Sequence, residues 1–155
     1  MNDYLLDESD IDWPSVLEPW GWLLPDVFTI WFANRFGDIF IELDDMSIQM
    51  LDVGCGTIER IADSRDDFRH LIDDDDNAMD WLMIPLVDAL GAAGKSLKSG
   101  YCYGYRLIPV LGGEYAVANS CVLPVHEHYG ITAEIHRQIK DLPDGAQVTI
   151  EFSEE

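Results

Sequence analysis

A short glycine-rich segment is the part of this sequence whose residue types and spacing could bind a cofactor. Residues 51–57 read Leu-Asp-Val-Gly-Cys-Gly-Thr. In nucleotide-binding folds a buried strand delivers closely spaced glycines to the ligand, and a helix follows the glycines at once. Acidic residues at 73–76 follow roughly twenty positions later, where such folds place a ribose-binding carboxylate. The first chemistry to consider is therefore the binding of an adenosine-containing cofactor.

This pattern is similar to the first motif of S-adenosylmethionine methyltransferases, but its context differs. Ile58 occupies the position of the third glycine, and a residue that could cap a helix appears only at Ser64. Residues 66–72 have helical spacing, so no strand precedes the acidic run. A small methyltransferase-like enzyme is the weaker alternative. We interpret residues 54–56 as a turn between antiparallel strands.

Two clusters of possible metal ligands lack the spacing that a metal site requires. A calcium-binding loop that began at Asp73 would need glycine at position 78 and glutamate at position 84, where this chain has alanine and isoleucine. His128 and His136 are two helical turns apart, too far for one zinc ion, and His126 and His128 are interpreted as capping or solvated residues. No Ser or Cys lies in a recognisable nucleophile motif. The sequence thus predicts no catalytic residue, no metal and no cofactor.

The charge balance favours a protein partner over nucleic acid or membrane. The chain has 155 residues, with 9 Lys and Arg against 30 Asp and Glu, and a formal charge of −21. Such a surface repels nucleic acid and anionic lipid and attracts basic proteins. The densest cluster, Asp73, Asp74, Asp75 and Asp76, is the predicted partner contact, with a solvated turn between two helices as the alternative. No apolar run approaches the roughly 18 residues of a membrane span, and three widely spaced cysteines indicate a reducing cytoplasm.

The hydrophobic periodicity predicts a meander of strands first and then three helices, with short strand-like pieces at residues 101–124 between the second and third helices. Residues 27–33 are β-branched and aromatic, residues 38–44 alternate with period two, and residues 48–53 and 57–61 complete a meander. Prolines at 14, 19 and 25 limit the Trp-rich segment before them to short helical turns that pack onto the sheet.

Three helices follow in the prediction. The first begins at Ser64, with Asp67 at its third position and Phe68, Leu71 and Ile72 on one face, and the acidic run ends it. The second covers residues 84–93, and the third covers residues 127–141. The predicted buried stripes are Leu86, Ala89, Leu90 and Ala93 in the second helix, and Ile131, Ile135, Ile139 and Leu142 in the third.

A last strand carries Val148, Ile150 and Phe152 after a turn at residues 143–145. Because helices and strands are largely segregated along the chain, the predicted class is α+β with a mainly antiparallel sheet flanked by helices. We expect an acidic lead-in at residues 1–12 and a single domain at residues 13–155.

Several motifs, taken in order along residues 13–140, resemble one bacterial family. They are residues 34–40 (Asn-Arg-Phe-Gly-Asp-Ile-Phe), the turn at 44–45, 50–54 (Met-Leu-Asp-Val-Gly), 56–64 (Gly-Thr-Ile-Glu-Arg-Ile-Ala-Asp-Ser), Phe68, 111–115 (Leu-Gly-Gly-Glu-Tyr) with Asn119, and 124–128 (Pro-Val-His-Glu-His). The family is the C-terminal domain of type VI secretion DNase-immunity proteins, which is similar to the wider SUKH immunity superfamily.

This resemblance implies a SUKH-like α+β fold and a cytoplasmic, non-enzymatic protein that binds and neutralises a toxin. The charge agrees independently, because nuclease toxins are commonly basic and an acidic inhibitor competes for the surface that holds phosphate. The expected partner is therefore a basic, nuclease-type toxin. An acidic regulatory or scaffold domain with another protein partner is the remaining alternative.

Overall fold

The computed structural model describes residues 2–140, which form an α+β fold with two antiparallel sheets. The strands are β1 (Thr29–Ala33), β2 (Ile39–Glu42), β3 (Ile48–Asp52), β4 (Thr57–Ala62), β5 (Tyr101–Tyr105) and β6 (Ser120–Pro124). The α-helices are α1 (Trp13–Val16), α2 (Arg65–Ile72), α3 (Asp75–Trp81), α4 (Ile84–Ala92) and α5 (Val125–Ile139). Short 3-10 helices span Asn2–Tyr4, Glu18–Trp20, Pro109–Leu111 and Val117–Asn119. The predicted α+β class is confirmed.

The first four strands form a meander in the order β1-β2-β3-β4, with every neighbouring pair antiparallel. Leu51 of β3 pairs with Ile58 of β4, so residues 54–56 lie in the turn between these strands. The predicted meander is confirmed. Because a strand rather than a helix follows the glycines, this segment lacks the geometry of a methyltransferase cofactor turn.

Strand β2 is buried on both faces, although its alternating pattern predicted a half-buried strand. Ile39 and Ile41 belong to a core that contains Trp20 and Tyr129, whereas Phe40 packs in an aromatic core with Phe68. The N-terminal segment and α5 thus cover one face of the sheet, and α2 and α3 cover the other. Period-two alternation separates the two faces of a strand, but it does not report whether both faces are covered.

The N-terminal segment packs against the sheet and α5. The backbone N–H of Leu6 donates to the Ala33 carbonyl at 2.9 Å, which places this segment beside β1. The indole Nε1 of Trp20 donates to the Tyr129 carbonyl oxygen at 3.1 Å, and the Trp20 side chain is fully buried. The prediction that short helical turns pack Trp onto the sheet is confirmed.

Helix α2 begins as predicted, but the acidic run after it begins another helix. Ser64 Oγ accepts a hydrogen bond from the Asp67 N–H at 3.1 Å, and the Asp67 carboxylate accepts one from the Asp63 N–H at 2.8 Å. Asp74 Oδ1 accepts from the Asp76 N–H at 2.9 Å and caps α3. The interpretation of residues 73–76 as only a turn was therefore wrong, since carboxylates also stabilise the first turn of a helix.

The predicted buried stripe of α4 is partly wrong. Pro85 lies in the first turn as expected, and Leu86 and Leu90 are buried, but Val87 takes the third buried position. Ala89 and Ala93 are exposed. Alanine is small enough to be tolerated on either face of a helix, so its position carries little information about burial.

Helix α5 starts two residues earlier than predicted and buries a different face. Its buried residues are Val125, His128, Tyr129, Thr132, Ala133 and His136. Ile131 is 42% exposed, while Ile135 and Ile139 are only partly buried, so the predicted isoleucine stripe was wrong. The polar residues can face the core because each has a hydrogen-bond partner: Thr132 Oγ1 donates to the His128 carbonyl oxygen, and the two histidines bond to carbonyl oxygens of the sheet turns.

Strands β5 and β6 form a separate two-stranded sheet, which the Tyr103 N–H joins to the Arg35 carbonyl at 2.8 Å. Within residues 2–140, no helix combines the length and hydropathy needed to cross a membrane. The expected turn at residues 143–145, Leu142, and the strand with Val148, Ile150 and Phe152 lie outside the described residues.

Candidate functional site

A groove of about 780 Å³ opens between the β3–β4 edge of the sheet, helices α3 and α4, and residues 115–117. Four carboxylates line it: Asp38, Asp52, Glu59 and Asp80. No Lys, Arg or His occurs among the described residues that line it. We call this cavity the acidic groove. Its volume is within the range of small binding sites, roughly 300–1,000 Å³.

The walls of the acidic groove are largely apolar. Met50 and Ile61 contribute from the sheet, and Trp81 contributes from α3. Met79 and Tyr115 also line the groove and are 48% and 52% exposed. The groove therefore combines negative charge with accessible apolar surface.

Asp38 is the buried carboxylate of the groove, with a relative exposure of 3%. Its Oδ1 accepts a hydrogen bond from the Val53 N–H at 3.0 Å, and its Oδ2 accepts one from Asn34 Nδ2 at 2.9 Å. Burial and the nearby negative charge of Asp52 raise the pKa of Asp38 well above its usual value, although these hydrogen bonds act in the opposite direction. Asp38 thus ties the end of β3 to the β1–β2 turn.

Asn34 organises the β1–β2 turn from a fully buried position. Its Oδ1 accepts hydrogen bonds from the N–H groups of Phe36 and Asp38, both at 3.0 Å. Its Nδ2 donates to the carbonyl oxygen of Trp81 at 2.9 Å. Because Trp81 ends α3, one side chain connects the sheet to the helix that forms a wall of the acidic groove.

Two histidines of α5, His128 and His136, are buried, which corrects the interpretation of His128 as a solvated or capping residue, whereas His126 is exposed as expected. His128 Nε2 donates to the Phe36 carbonyl oxygen at 2.7 Å, and His136 Nε2 donates to the Val53 carbonyl oxygen at 2.7 Å. Burial lowers the pKa of His128 to about 4 and also lowers that of His136, so both rings are neutral near pH 7. The two histidines secure the two turns that flank β2 and β3.

Two glycines, Gly56 of the cofactor-like heptad and Gly37 of the β1–β2 turn, make room for the histidine rings. Gly56 has φ of +71°, and a Cβ added there would collide with Nδ1 of the His136 ring. Gly37 has φ of +87°, and a Cβ added there would lie 2.9 Å from Cδ2 of His128. A close approach of the backbone to a histidine ring therefore explains glycine at positions 37 and 56 without any cofactor.

A second turn motif positions Tyr115 at the mouth of the groove. Asn119 Nδ2 donates to the carbonyl oxygens of Leu107 and Glu114, both at 2.8 Å, and its Oδ1 accepts from the Leu107 N–H at 2.9 Å. The Tyr115 hydroxyl lies 3.4 Å from Cys55 Sγ. Burial raises the pKa of the Cys55 thiol, which keeps it protonated near pH 7.

The predicted partner contact lies beside the groove rather than in it. Asp73, Asp74, Asp75 and Asp76 are all exposed at the start of α3, whose later residues Met79 and Asp80 line the groove. Asp76 and Asp80 are one helical turn apart, so the two acidic regions are continuous along α3. Whether the run contacts a partner stays a prediction. Within residues 2–140, no three His, Cys, Asp or Glu side chains converge to hold a metal ion.

The comparison with protein families identifies a relative for this part of the chain. Residues 62–136 match the family described as T6SS immunity protein Tdi1, C-terminal. The match extends from the end of β4 through His136, so it includes α3, α4, the Asn119 motif and both buried histidines. None of the curated proteins matches the chain. The predicted resemblance to type VI secretion immunity proteins is confirmed, while the wider SUKH relationship stays a prediction.

Proposed function

We propose, from the match of residues 62–136 to the type VI secretion immunity family, that this protein neutralises a bacterial toxin by binding it. The toxin is a basic, nuclease-type protein, and neutralisation requires no catalysis by the immunity protein. The family match carries this proposal, and the charge of −21 supports a basic partner. Binding takes place in the cytoplasm, and the protein itself contacts neither nucleic acid nor membrane.

The pairing of charged side chains supports a basic partner, as the net charge also does. Four of the nine Lys and Arg residues already pair with carboxylates: Arg60, Arg65, Arg69 and Arg137. These pairs leave a large excess of carboxylates at the surface. A nuclease must present positive charge to hold phosphate, and an acidic protein competes for that same surface.

Association kinetics with the toxin encoded beside this gene test the proposal. Long-range attraction should make association fast in 0.1 M salt and about tenfold or more slower in 1 M salt, because the Debye length falls from about 10 Å to about 3 Å. Dissociation should change less, since contacts at short range are screened less.

Survival of cells that express the toxin, with and without this gene, provides the functional readout. The proposal expects that the gene protects these cells. If cells die equally in both cases and no complex forms at low salt, the proposed function is wrong. Protection by a complex that is insensitive to salt would retain the immunity function but exclude an electrostatic basis for recognition.

A further inference from the structure

We propose that the acidic groove receives one short cationic segment of the partner protein, in which an arginine or lysine side chain is flanked by apolar residues. This inference rests on the proposed function and specifies where the toxin binds and which chemistry is recognised. It also assigns different tasks to two acidic regions. The groove forms the contact at short range, and the run at residues 73–76 adds to the attraction at long range.

The groove has an excess of negative charge, because no described Lys, Arg or His lies in its lining. Glu59 and Asp80 are exposed at its lining, whereas Asp52 is half-buried and Asp38 is buried. Asp52 and Asp80 both contribute to the raised pKa of Asp38, so the negative fields of these carboxylates overlap inside the groove. A guanidinium or ammonium group placed between them would relieve this repulsion in a partly desolvated site.

The apolar part of the groove distinguishes a protein segment from a simple ion. Met79 and Tyr115 expose about half of their surface at the groove, where they can cover the methylene groups of a lysine or arginine and a neighbouring apolar side chain. Methionine adapts its shape to a ligand, and tyrosine is a frequent anchor in interfaces. A hydrated Mg²⁺ or Ca²⁺ would gain nothing from these walls, since such ions select oxygen ligands.

The size of the groove limits its occupant to a few side chains. A volume of about 780 Å³ holds a short protruding segment but not a folded domain. Asp76 lies one turn before Asp80 on α3. A segment bound in the groove would therefore run along α3, from Asp80 towards Asp76. A second cation of the partner would therefore reach Asp76 when the first occupies the groove.

The test uses two double variants that change the charge equally. Glu59→Gln with Asp80→Asn removes the two exposed carboxylates of the groove. Asp26→Asn with Asp44→Asn removes two exposed carboxylates elsewhere and serves as the matched control. None of these four side chains has a hydrogen bond to another described residue, so both variants should fold as the wild type does. Met79→Gln tests the apolar wall, with the exposed Met46→Gln as its control.

The probe is a blocked ten-residue peptide of alternating arginine and leucine, titrated into the full chain by calorimetry and followed by amide NMR shifts. Comparison peptides alternate arginine with serine, or glutamate with leucine. We expect the arginine–leucine peptide to bind best and to shift the amides of groove residues. Affinity should fall about tenfold in the groove variant and about threefold in Met79→Gln, but less than twofold in either control.

Equal losses in the groove variant and its charge control would overturn the inference, because recognition would then depend on total charge alone. Shifts confined to amides outside the groove would also overturn it. A serine-containing peptide that binds as well as the leucine-containing one would remove the apolar half of the proposal.

The same variants, tested with the neighbouring toxin, separate this inference from the proposed function. If the toxin binds the wild type and the groove variant equally, the groove inference is wrong and the proposed function stands. If the toxin binds neither while the arginine–leucine peptide still occupies the groove, the proposed function is wrong, and the groove is a site for a cationic, apolar segment of a different protein. Loss of toxin binding in the groove variant alone supports both.

Discussion

Polar side chains form two regions of this molecule, one buried in the core and one exposed to solvent. In the buried polar framework, made of Asn34, Asp38, His128 and His136, polar side chains bond to turn backbone and to one another. Along α3, the carboxylates of residues 73–76 and Asp80 face solvent, and among these side chains Asp74 accepts the hydrogen bonds that cap the start of the helix. The first region holds the fold together, whereas the second concentrates charge that the described structure does not neutralise.

The difference follows from the dielectric surroundings of each region. A buried polar group that loses its partner costs about 1–3 kcal/mol of stability, whereas an exposed one regains water. Charge at a distance acts mainly on association with a partner, and it contributes little to folding when solvent screens it. Substitutions in the framework should therefore change stability, and substitutions along α3 should change binding.

The largest effect is expected for Asn34→Ala. This change removes the partner of the Phe36 and Asp38 N–H groups and of the Trp81 carbonyl, so unfolding free energy should fall by about 4 kcal/mol. Asp45→Ala is the matched control, because Asp45 makes a similar turn bond to the Ser47 N–H at 3.0 Å but is exposed. Its cost should stay below about 1 kcal/mol. Urea denaturation measures both, and equal losses would contradict the distinction between buried and exposed turns.

Gly56→Ala should be the next most damaging change. Both Gly56 and Gly94 have positive φ, so alanine at either position costs about 1–2 kcal/mol of backbone strain. Only at position 56 would the new Cβ also collide with the His136 ring, whereas nothing lies within 4 Å at position 94. We expect Gly56→Ala to cost roughly 2 kcal/mol more than Gly94→Ala in thermal or urea unfolding. Equal costs would show that His136 does not need this glycine.

Acid should destabilise the framework through His128. Its pKa is about 4 when folded and near 6.5 when unfolded, so the unfolded chain takes up the proton first as the pH falls below about 6.5. Stability is thus lost progressively between about pH 6.5 and pH 4, and this one group should cost about 2 kcal/mol between pH 7 and pH 5. His128→Gln keeps a donor for the Phe36 carbonyl but cannot titrate.

Urea midpoints of the wild type and His128→Gln at pH 7 and pH 5 check this prediction. Asp38 acts in the opposite direction, because its raised pKa means that its burial costs stability above its folded pKa and less below it. The difference between wild type and variant removes this shared contribution. Parallel pH dependences in the two proteins would contradict the assignment to His128.

The smallest effect on stability is expected at the acidic run. Asp73→Asn with Asp76→Asn removes two exposed charges, and the unfolding free energy should change by less than about 0.5 kcal/mol. Association with the toxin should slow roughly two- to fivefold in low salt and be unchanged in high salt. Stopped-flow kinetics at both salt concentrations measure this. A large loss of stability would show that the run belongs to the structural framework.

Local patterns were sufficient to predict the sheet but not the buried face of α5. The meander follows from period-two alternation and from turn residues at 44–47 and 54–56, which act over short distances. In α5 the isoleucines suggested one buried face, yet His128 and His136 define another because they meet carbonyl oxygens 92 and 83 residues away. A hydrophobicity pattern cannot report a polar partner so distant in sequence.

Neither helix α3 nor the acidic groove was predicted from the sequence. Four successive aspartates were interpreted as a break, although their position before residues 77–81 also fits a capped helix start. The groove brings Asp38 together with Asp80 and Tyr115, and no spacing in the sequence connects these residues. The chemical character of the surface was predictable from composition, but its location depended on tertiary contacts.

The hydrogen bond from Trp20 to the Tyr129 carbonyl spans 109 residues and sets an order of events during synthesis. At about 5–20 residues per second, the ribosome needs on the order of 5–20 s to make the chain between these two residues. Throughout that interval Trp20 has no partner in α5, and the N-terminal segment alone can cover the face of β2 that carries Ile39 and Ile41. The part of this core that α5 covers in the folded protein therefore stays exposed until α5 emerges, and transiently exposed apolar surface of this kind favours aggregation.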